Sequence, residues 1–157
     1  MTANVRGGKD NPELFGVVYF EKSSKGVLVT AEIYGLPMQD GNKNGFFGFH
    51  IHEGGSCAGT EAAGGHYNPK NVPHPFHAGD LPPLMSNNGF AYMTVLTDRF
   101  TLNEIIGKTV IIHATADDFR SQPAGDSGER IACGVIRSFL AAKGLFSEKA
   151  SIYEELA

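Results

Sequence analysis

A chain of 157 residues is long enough for one domain with a buried core and short for two. Its net charge of −4, without a basic run or basic helix face, argues against a nucleic acid or an anionic membrane as partner, and no apolar stretch approaches the roughly 20 residues that span a bilayer. The 20 glycines and 8 prolines indicate many turns, which favours short strands over long helices.

Strand patterns follow one another along the chain. The segments at 15–22 and 26–34 are rich in β-branched and aromatic residues, and the link between them is short enough for a hairpin. In the second segment apolar residues alternate with Thr30 and Glu32, which is the period of a half-buried strand. Further strand segments lie at 45–52, 89–96, 108–115 and 130–136, with a short one near 4–7. Six to eight short strands predict an all-β sandwich or barrel.

Two connections are longer than the others, at 53–88 and 116–129. Loops of more than about 12–15 residues in a compact domain are usually functional or disordered. We expect one domain over residues 1–138, followed by a C-terminal extension over 139–157 that forms either a short docked helix or a frayed tail.

All six histidines lie between positions 50 and 113. Strand alternation places His50 and His52 on one face of the segment "GFHIHE", at a separation that suits chelation of one ion. The preceding "FFGF" indicates a buried strand, in which unpaired imidazoles would be costly. His113 ends the apolar run "TVII", where an imidazole without a partner would be equally costly. We therefore interpret these three histidines as one metal-binding set.

The run "HYNPKNVPHPFHAGD" supplies a second set of candidate ligands, namely His66, His74, His77 and Asp80. Imidazole nitrogens with a carboxylate oxygen are ordinary zinc ligands, and four of them complete a tetrahedral site. Prolines stiffen this stretch, which lowers the entropy lost when a metal organises it. The alternative is that each histidine pairs with a polar partner elsewhere.

Two cysteines, Cys57 and Cys133, are far apart in the sequence, which speaks against a thiolate zinc site or a redox dithiol. Their number allows a disulfide without requiring one. The N-terminal stretch lacks the apolar region of a signal peptide, so the expected compartment is the cytoplasm as the sequence stands, or the periplasm or exterior if a signal was removed.

At these residues the sequence resembles the copper/zinc superoxide dismutases. The motifs "GFHIHE", "AGGHYNP", "HAGDLPPL", "IIHATADD" and "GERIACGVI" occur in the order of that family and cover roughly residues 45–136. The first cysteine follows closely in "HEGGSC", which looks more like the bacterial branch than the animal one. Only two residues separate His74 and His77, so the zinc loop is shorter than in most relatives.

The resemblance implies a Greek-key barrel of eight antiparallel strands with long metal-binding and electrostatic loops. It implies that superoxide is dismutated by a redox-cycling copper next to a structural zinc. It implies a copper set of His50, His52, His66 and His113 and a zinc set of His66, His74, His77 and Asp80, with His66 as the bridging imidazolate. It also implies that Arg130 guides the anion, that the Asp117 carboxylate hydrogen-bonds one ligand of each metal, and that Cys57 and Cys133 form a disulfide.

Two other classes of function fit parts of the pattern. A zinc-only structural module or a copper-storing protein would need the ligands but no turnover. A dinuclear hydrolase would use metals to activate water, although such enzymes usually draw on several carboxylates and only Asp80 is available as a direct ligand here. The chain is expected to be a monomer or a homodimer, because Phe100, Phe139 and Phe146 could belong to the core or to an interface.

Overall fold

The alternating segments of the sequence form strands in a computed structural model, which describes residues 1–139 apart from the side chains at positions 60 and 61. The elements in chain order are β1 (Thr2–Gly7), β2 (Phe15–Ser23), β3 (Gly26–Tyr34), β4 (Phe46–His52), α1 (Thr60–Ala63), β5 (Asp80–Met85), β6 (Ala91–Thr97), α2 (Leu102–Ile105), β7 (Thr109–His113) and β8 (Arg130–Arg137). The C-terminal extension predicted over 139–157 lies outside the described residues except for its first residue, so the helix predicted there stays a prediction. Within the described part, no helix is both long and apolar enough to cross a membrane.

The eight strands make one antiparallel sheet in the order β5-β4-β7-β8-β1-β2-β3-β6. Three neighbouring pairs, β4 with β7, β8 with β1 and β3 with β6, are not consecutive in the chain, as a Greek-key topology requires. The sheet curls into a nearly closed barrel. A seam without a hydrogen-bonded ladder remains between its terminal strands β5 and β6. The predicted all-β Greek-key fold is confirmed.

The core follows the alternation of the sequence. In β3 the residues Val27, Val29, Ala31 and Ile33 are buried, and Thr30 and Glu32 between them are only partly covered. Phe100 is buried as well, whereas Phe139 is exposed. Residue 146 lies outside the described part of the chain.

The long connection predicted over 53–88 is wrong in its second half, because 80–85 forms the strand β5. Pro82 and Pro83 hid this strand, since a proline cannot donate to a ladder. It is tolerated here because β5 is a terminal strand that pairs only with β4 in the described sheet. Asp80 is therefore the first residue of a strand, and the connection itself runs over 53–79.

Strands β4 and β7 are covered on both faces, and this places the functional site. Phe49 and Ile51 of β4 belong to the apolar core cluster, whereas His50 and His52 alternate with them and are just as deeply buried. All five residues of β7 are buried too. The histidine face of these strands is thus covered from outside the barrel by the connections 53–79 and 114–129.

Candidate metal centre

The first group of ligands consists of four buried histidines, with one ligand nitrogen from each lying within 4.8 Å of the others. β4 carries His50 and His52, and His113 is the last residue of β7. Because β4 and β7 are paired, with His50 opposite Ile111, the three strand histidines meet on one face. His66 joins them through an isolated backbone bridge to His52. The members are His50, His52, His66 and His113.

The second group shares His66 and adds three residues of the 53–80 segment, again with ligand atoms within 4.8 Å of one another. Its members are His66, His74, His77 and Asp80. The connection is held against β4 by two backbone bonds, since Tyr67 donates to the Ile51 carbonyl at 2.8 Å and Ile51 donates to the Gly79 carbonyl at 2.9 Å. A Cβ at Gly79 would lie 2.2 Å from the Ile51 oxygen, so only glycine permits this approach.

His66 lies between the two groups and presents one ring nitrogen to each. Its Nδ1 is 2.7 Å from Asp80 Oδ1. Its Nε2 is buried without a hydrogen-bond partner among the described residues, and its ring centroid is 4.0 Å from that of His50. The ring is therefore placed to serve two ions at once.

The protein leaves nitrogen lone pairs that a cation would satisfy. Besides His66 Nε2, the buried Nδ1 atoms of His50 and His74 find no hydrogen-bond partner among the described residues. Burying unpartnered polar atoms costs free energy, and native proteins rarely leave them so. Four imidazole nitrogens suit copper, and three imidazoles with a carboxylate suit zinc. The two groups fit a copper site and a zinc site.

Backbone carbonyls fix the tautomers of two copper-site histidines. Nδ1 of His52 donates to the Gly64 carbonyl at 2.9 Å, and Nδ1 of His113 donates to the Gly128 carbonyl at 3.3 Å. Because a carbonyl only accepts, both rings carry their hydrogen on Nδ1 and a lone pair on Nε2. The two Nε2 atoms are 3.3 Å apart. Two facing lone pairs repel, and a cation bound by both nitrogens would relieve this repulsion.

Asp117 connects the two groups from the connection 114–129. Its Oδ2 accepts from Nε2 of His50 at 2.8 Å, and its Oδ1 accepts from Nε2 of His74 at 2.9 Å. These bonds direct the Nδ1 lone pair of each ring inwards, which is the usual task of a residue behind a metal ligand. A Cβ at Gly125, where φ is +69°, would lie 2.1 Å from Asp117 Oδ1. Glycine is therefore required beside this carboxylate.

The protonation states agree with ligand chemistry. Burial lowers the pKa of His52 to about 2 and that of His113 to about 3, so both rings are neutral near pH 7. Burial acts to raise the pKa of Asp117, but hydrogen bonds from His50, the Phe119 amide and His74 outweigh it and lower that pKa to about 2. The site thus contains neutral imidazoles and an ionised carboxylate, as metal binding requires.

Arg130 and the disulfide lie next to the copper group. Arg130 is opposite His113 in the β7–β8 register, and its Nη2 donates at 2.7 Å to the same Gly64 carbonyl that accepts from His52. Cys57 and Cys133 form a disulfide with their Cα atoms 5.7 Å apart, which confirms the predicted pairing. The disulfide ties the connection after β4 to the strand that carries Arg130.

Two residues at the site had no signal in the sequence. The side-chain amide of Gln122 brackets the backbone of His74, since its Oε1 accepts from the His74 amide at 3.0 Å and its Nε2 donates to the His74 carbonyl at 2.8 Å. Nη1 of Arg99 lies within hydrogen-bonding distance of three carbonyls near the zinc group. Both reach the site from distant parts of the chain, so local spacing could not identify them.

Comparisons with known proteins agree with this geometry. The family model for copper/zinc superoxide dismutase matches residues 14–136. The chain is 40% identical over 141 residues to the Cu-Zn superoxide dismutase of Photobacterium leiognathi, covering 78% of each chain. It is 36% identical over 146 residues to that of Legionella pneumophila, covering 87% of this chain and 86% of the other. The solved Cu/Zn superoxide dismutase from Brucella abortus matches with a TM-score of 0.73 and 30% identity over 87% of this chain and 99% of its own.

The family model spans most of the chain, the relatives are aligned over most of their own length, and the two ligand groups fit copper and zinc. The chain therefore belongs to the copper/zinc superoxide dismutase family. It is an oxidoreductase that dismutates superoxide to dioxygen and hydrogen peroxide, with copper and zinc as cofactors.

Proposed function

We propose that each site residue has a defined task in this reaction. The four-histidine group would hold copper, which would supply the redox chemistry, and His66, His74, His77 and Asp80 would hold zinc. The position of His66, with Nδ1 at Asp80 and an unpartnered Nε2 beside the other three histidines, is the observation that carries the proposal.

Dismutation converts two superoxide anions and two protons into one dioxygen and one hydrogen peroxide. Bound copper supplies the one-electron exchange, whereas zinc has no accessible redox state. His66 takes up one proton from solvent at Nε2 during part of the cycle and delivers it to the second superoxide, and the second proton of hydrogen peroxide comes from solvent water. Its Nδ1 remains with the zinc group, so the ring keeps its place while Nε2 gains and loses the proton.

Arg130 guides the substrate in this proposal. Superoxide is an anion, and the chain has a net charge of −4, so approach needs a local positive field. The guanidinium is held beside His52 by its bond to Gly64 and is only partly buried, so it can act on an anion entering from solvent. This supports a role in binding and orienting superoxide.

The disulfide also supports a proposal about compartment. A bond between Cys57 and Cys133 persists in oxidising surroundings and is rare in a reducing cytoplasm. We place the protein in the periplasm or outside the cell rather than in the cytoplasm. Fractionation of the cells that produce it, with a thiol assay on the isolated protein, tests this placement.

For the assembly, monomer and homodimer are the two proposed states. Exposed aromatic side chains on the sheet surface, among them Phe15, Tyr34 and Tyr92, are compatible with an interface between copies. Light scattering over a range of protein concentrations distinguishes the two states.

Elemental analysis combined with a superoxide-disappearance assay tests the main proposal. We expect one copper and one zinc per chain, loss of activity when a chelator removes copper, and recovery with copper but not with additional zinc. A protein that binds both metals without turnover would be a storage module. Activity that survives copper removal would contradict the proposal.

A further inference from the structure

The backbone around the zinc ligands is held by a side chain from a distant part of the chain. The segment is short, with only Pro75 and Phe76 between His74 and His77. Nη1 of Arg99 carries two hydrogens and shares them among three carbonyls, those of Pro75 at 3.1 Å, His77 at 3.3 Å and Asp80 at 3.1 Å. Two of these three acceptors are the backbones of zinc-group residues.

Arg99 reaches these carbonyls across the seam of the barrel. It lies between the end of β6 at Thr97 and the start of α2 at Leu102, whereas Asp80 begins β5. In the described sheet β5 pairs only with β4 and β6 only with β3, so no ladder joins the two strands. The contacts of Arg99 thus join the two sides of the seam, at the point where His77 precedes β5 and Asp80 begins it.

The contact pattern indicates control of side-chain direction. The carbonyl of a residue lies in the peptide plane that follows its Cα, so fixing it limits the backbone dihedrals that aim the side chain. Hydrogen bonds from a charged guanidinium are stronger than those from a neutral donor. The ligand carboxylate of Asp80 accepts from the His77 amide at 3.0 Å, so the two residues move together.

We infer that Arg99 is a positioning residue for the zinc site, which holds His77 and Asp80 in ligating geometry through their backbone carbonyls. The inference rests on the proposed function, because it takes the group at His66, His74, His77 and Asp80 to be the zinc site. Arg99 is itself exposed. Its removal would leave the three carbonyls open to water, so the barrel should still fold while the ligands lose their preset orientation.

Cobalt(II) bound in place of zinc tests this role, because its visible absorption reports ligand geometry independently of enzyme activity. Arg99→Ala should release cobalt and zinc to a chelator roughly 10- to 100-fold faster than the wild type, with a weakened and shifted cobalt spectrum. Arg99→Lys keeps a cation with three N–H donors and should recover part of the spectrum and of the retention. Arg137→Ala removes an exposed arginine at the end of β8 and serves as the matched control.

The outcomes separate this inference from the proposed function. If Arg99→Ala keeps the wild-type cobalt spectrum and release rate, the positioning role is wrong. If Arg99→Ala yields no folded protein, Arg99→Met takes its place as the variant without donors, and a wild-type cobalt spectrum and release rate in folded Arg99→Met overturn the inference in the same way. If the wild type itself binds no cobalt or zinc through its histidines, the assignment of the zinc site has failed instead.

Discussion

At the scale of single residues, the site depends on which nitrogen of each imidazole carries the hydrogen. Carbonyls of Gly64 and Gly128 and the carboxylate of Asp117 accept from four histidines, and each of these rings is left with one inward lone pair. The Gly64 carbonyl also accepts from Arg130. The same backbone atom therefore positions a copper-site histidine and the cation proposed to attract superoxide.

Replacement of Arg130 by glutamate should lower kcat/KM at least about tenfold, because an attractive local field becomes repulsive. The remaining rate should depend less on ionic strength, since screening no longer removes an attraction. Stopped-flow decay of superoxide over a range of salt concentrations measures both effects. Arg130→Lys keeps the charge and should retain more activity, and Arg137→Glu makes the same charge change at the far end of β8. A wild-type rate and salt dependence in Arg130→Glu would refute guidance.

At the scale of elements, the two long connections hold each other. The connection 114–129 supplies Asp117 to the rings of His50 and His74 and Gln122 to the backbone of His74. The connection 53–79 in turn contacts the barrel because its residues Tyr67 and Gly79 form backbone hydrogen bonds with Ile51 of β4. The zinc-group residue His74 is thus oriented by a segment that contains no zinc ligand.

Gln122→Ala removes both bonds to the His74 backbone. Each of these partly buried bonds contributes about 0.5–1.5 kcal/mol, so loss of both from the metal-bound state should make zinc release roughly 5- to 150-fold faster. Competition with a coloured zinc chelator measures the rate. Arg120→Ala, an exposed side chain two residues earlier in the same connection, is the control. Equal rates of zinc release in Gln122→Ala and the control would show that the two hydrogen bonds from Gln122 to the His74 backbone have no influence on the site.

At the scale of the whole molecule, the metal groups join parts of the chain that are otherwise separate. The ligands come from β4, the 53–79 connection, β5 and β7, and the disulfide adds β8. A metal that binds only the native arrangement stabilises it by mass action. Among the described residues, the buried Nδ1 atoms of His50 and His74 and Nε2 of His66 have no hydrogen-bond partner, so a bound cation would satisfy them.

Removal of both metals should therefore lower the melting temperature. A ligand at 100 times its dissociation constant contributes about 2.7 kcal/mol, which for a chain of this size corresponds to roughly 5–10 °C per site. Calorimetry of the stripped and reconstituted protein measures the change, and a thiol assay establishes that the disulfide is intact in both samples. Unchanged melting after complete removal of the metals would mean that the groups do not bind them in the native state.

The sequence by itself determined the all-β class and the candidate ligand residues. Alternation in β3 reports directly which residues are buried, because neighbouring side chains of a strand point to opposite faces. The histidines were recognisable for the same reason, since His50 and His52 occupy one face of an apolar strand that offers them no other partner. The prolines of β5 predict a loop, because a proline cannot donate to a strand ladder. They are tolerated in β5 only because it is a terminal strand of the sheet.

Only the tertiary structure decided how the ligands are oriented. Gln122, Arg99 and the Gly64 carbonyl act through contacts between residues that are distant in the chain, and such contacts leave no local spacing to detect, whereas Asp117 is indicated by the resemblance to the family. The fold likewise brings Cys57 and Cys133 together, a pairing that the resemblance to the family implies but the spacing of the cysteines does not. Ligand identity depends on side-chain chemistry and can be read along the chain, whereas ligand geometry depends on backbone positions that exist only once the barrel has formed.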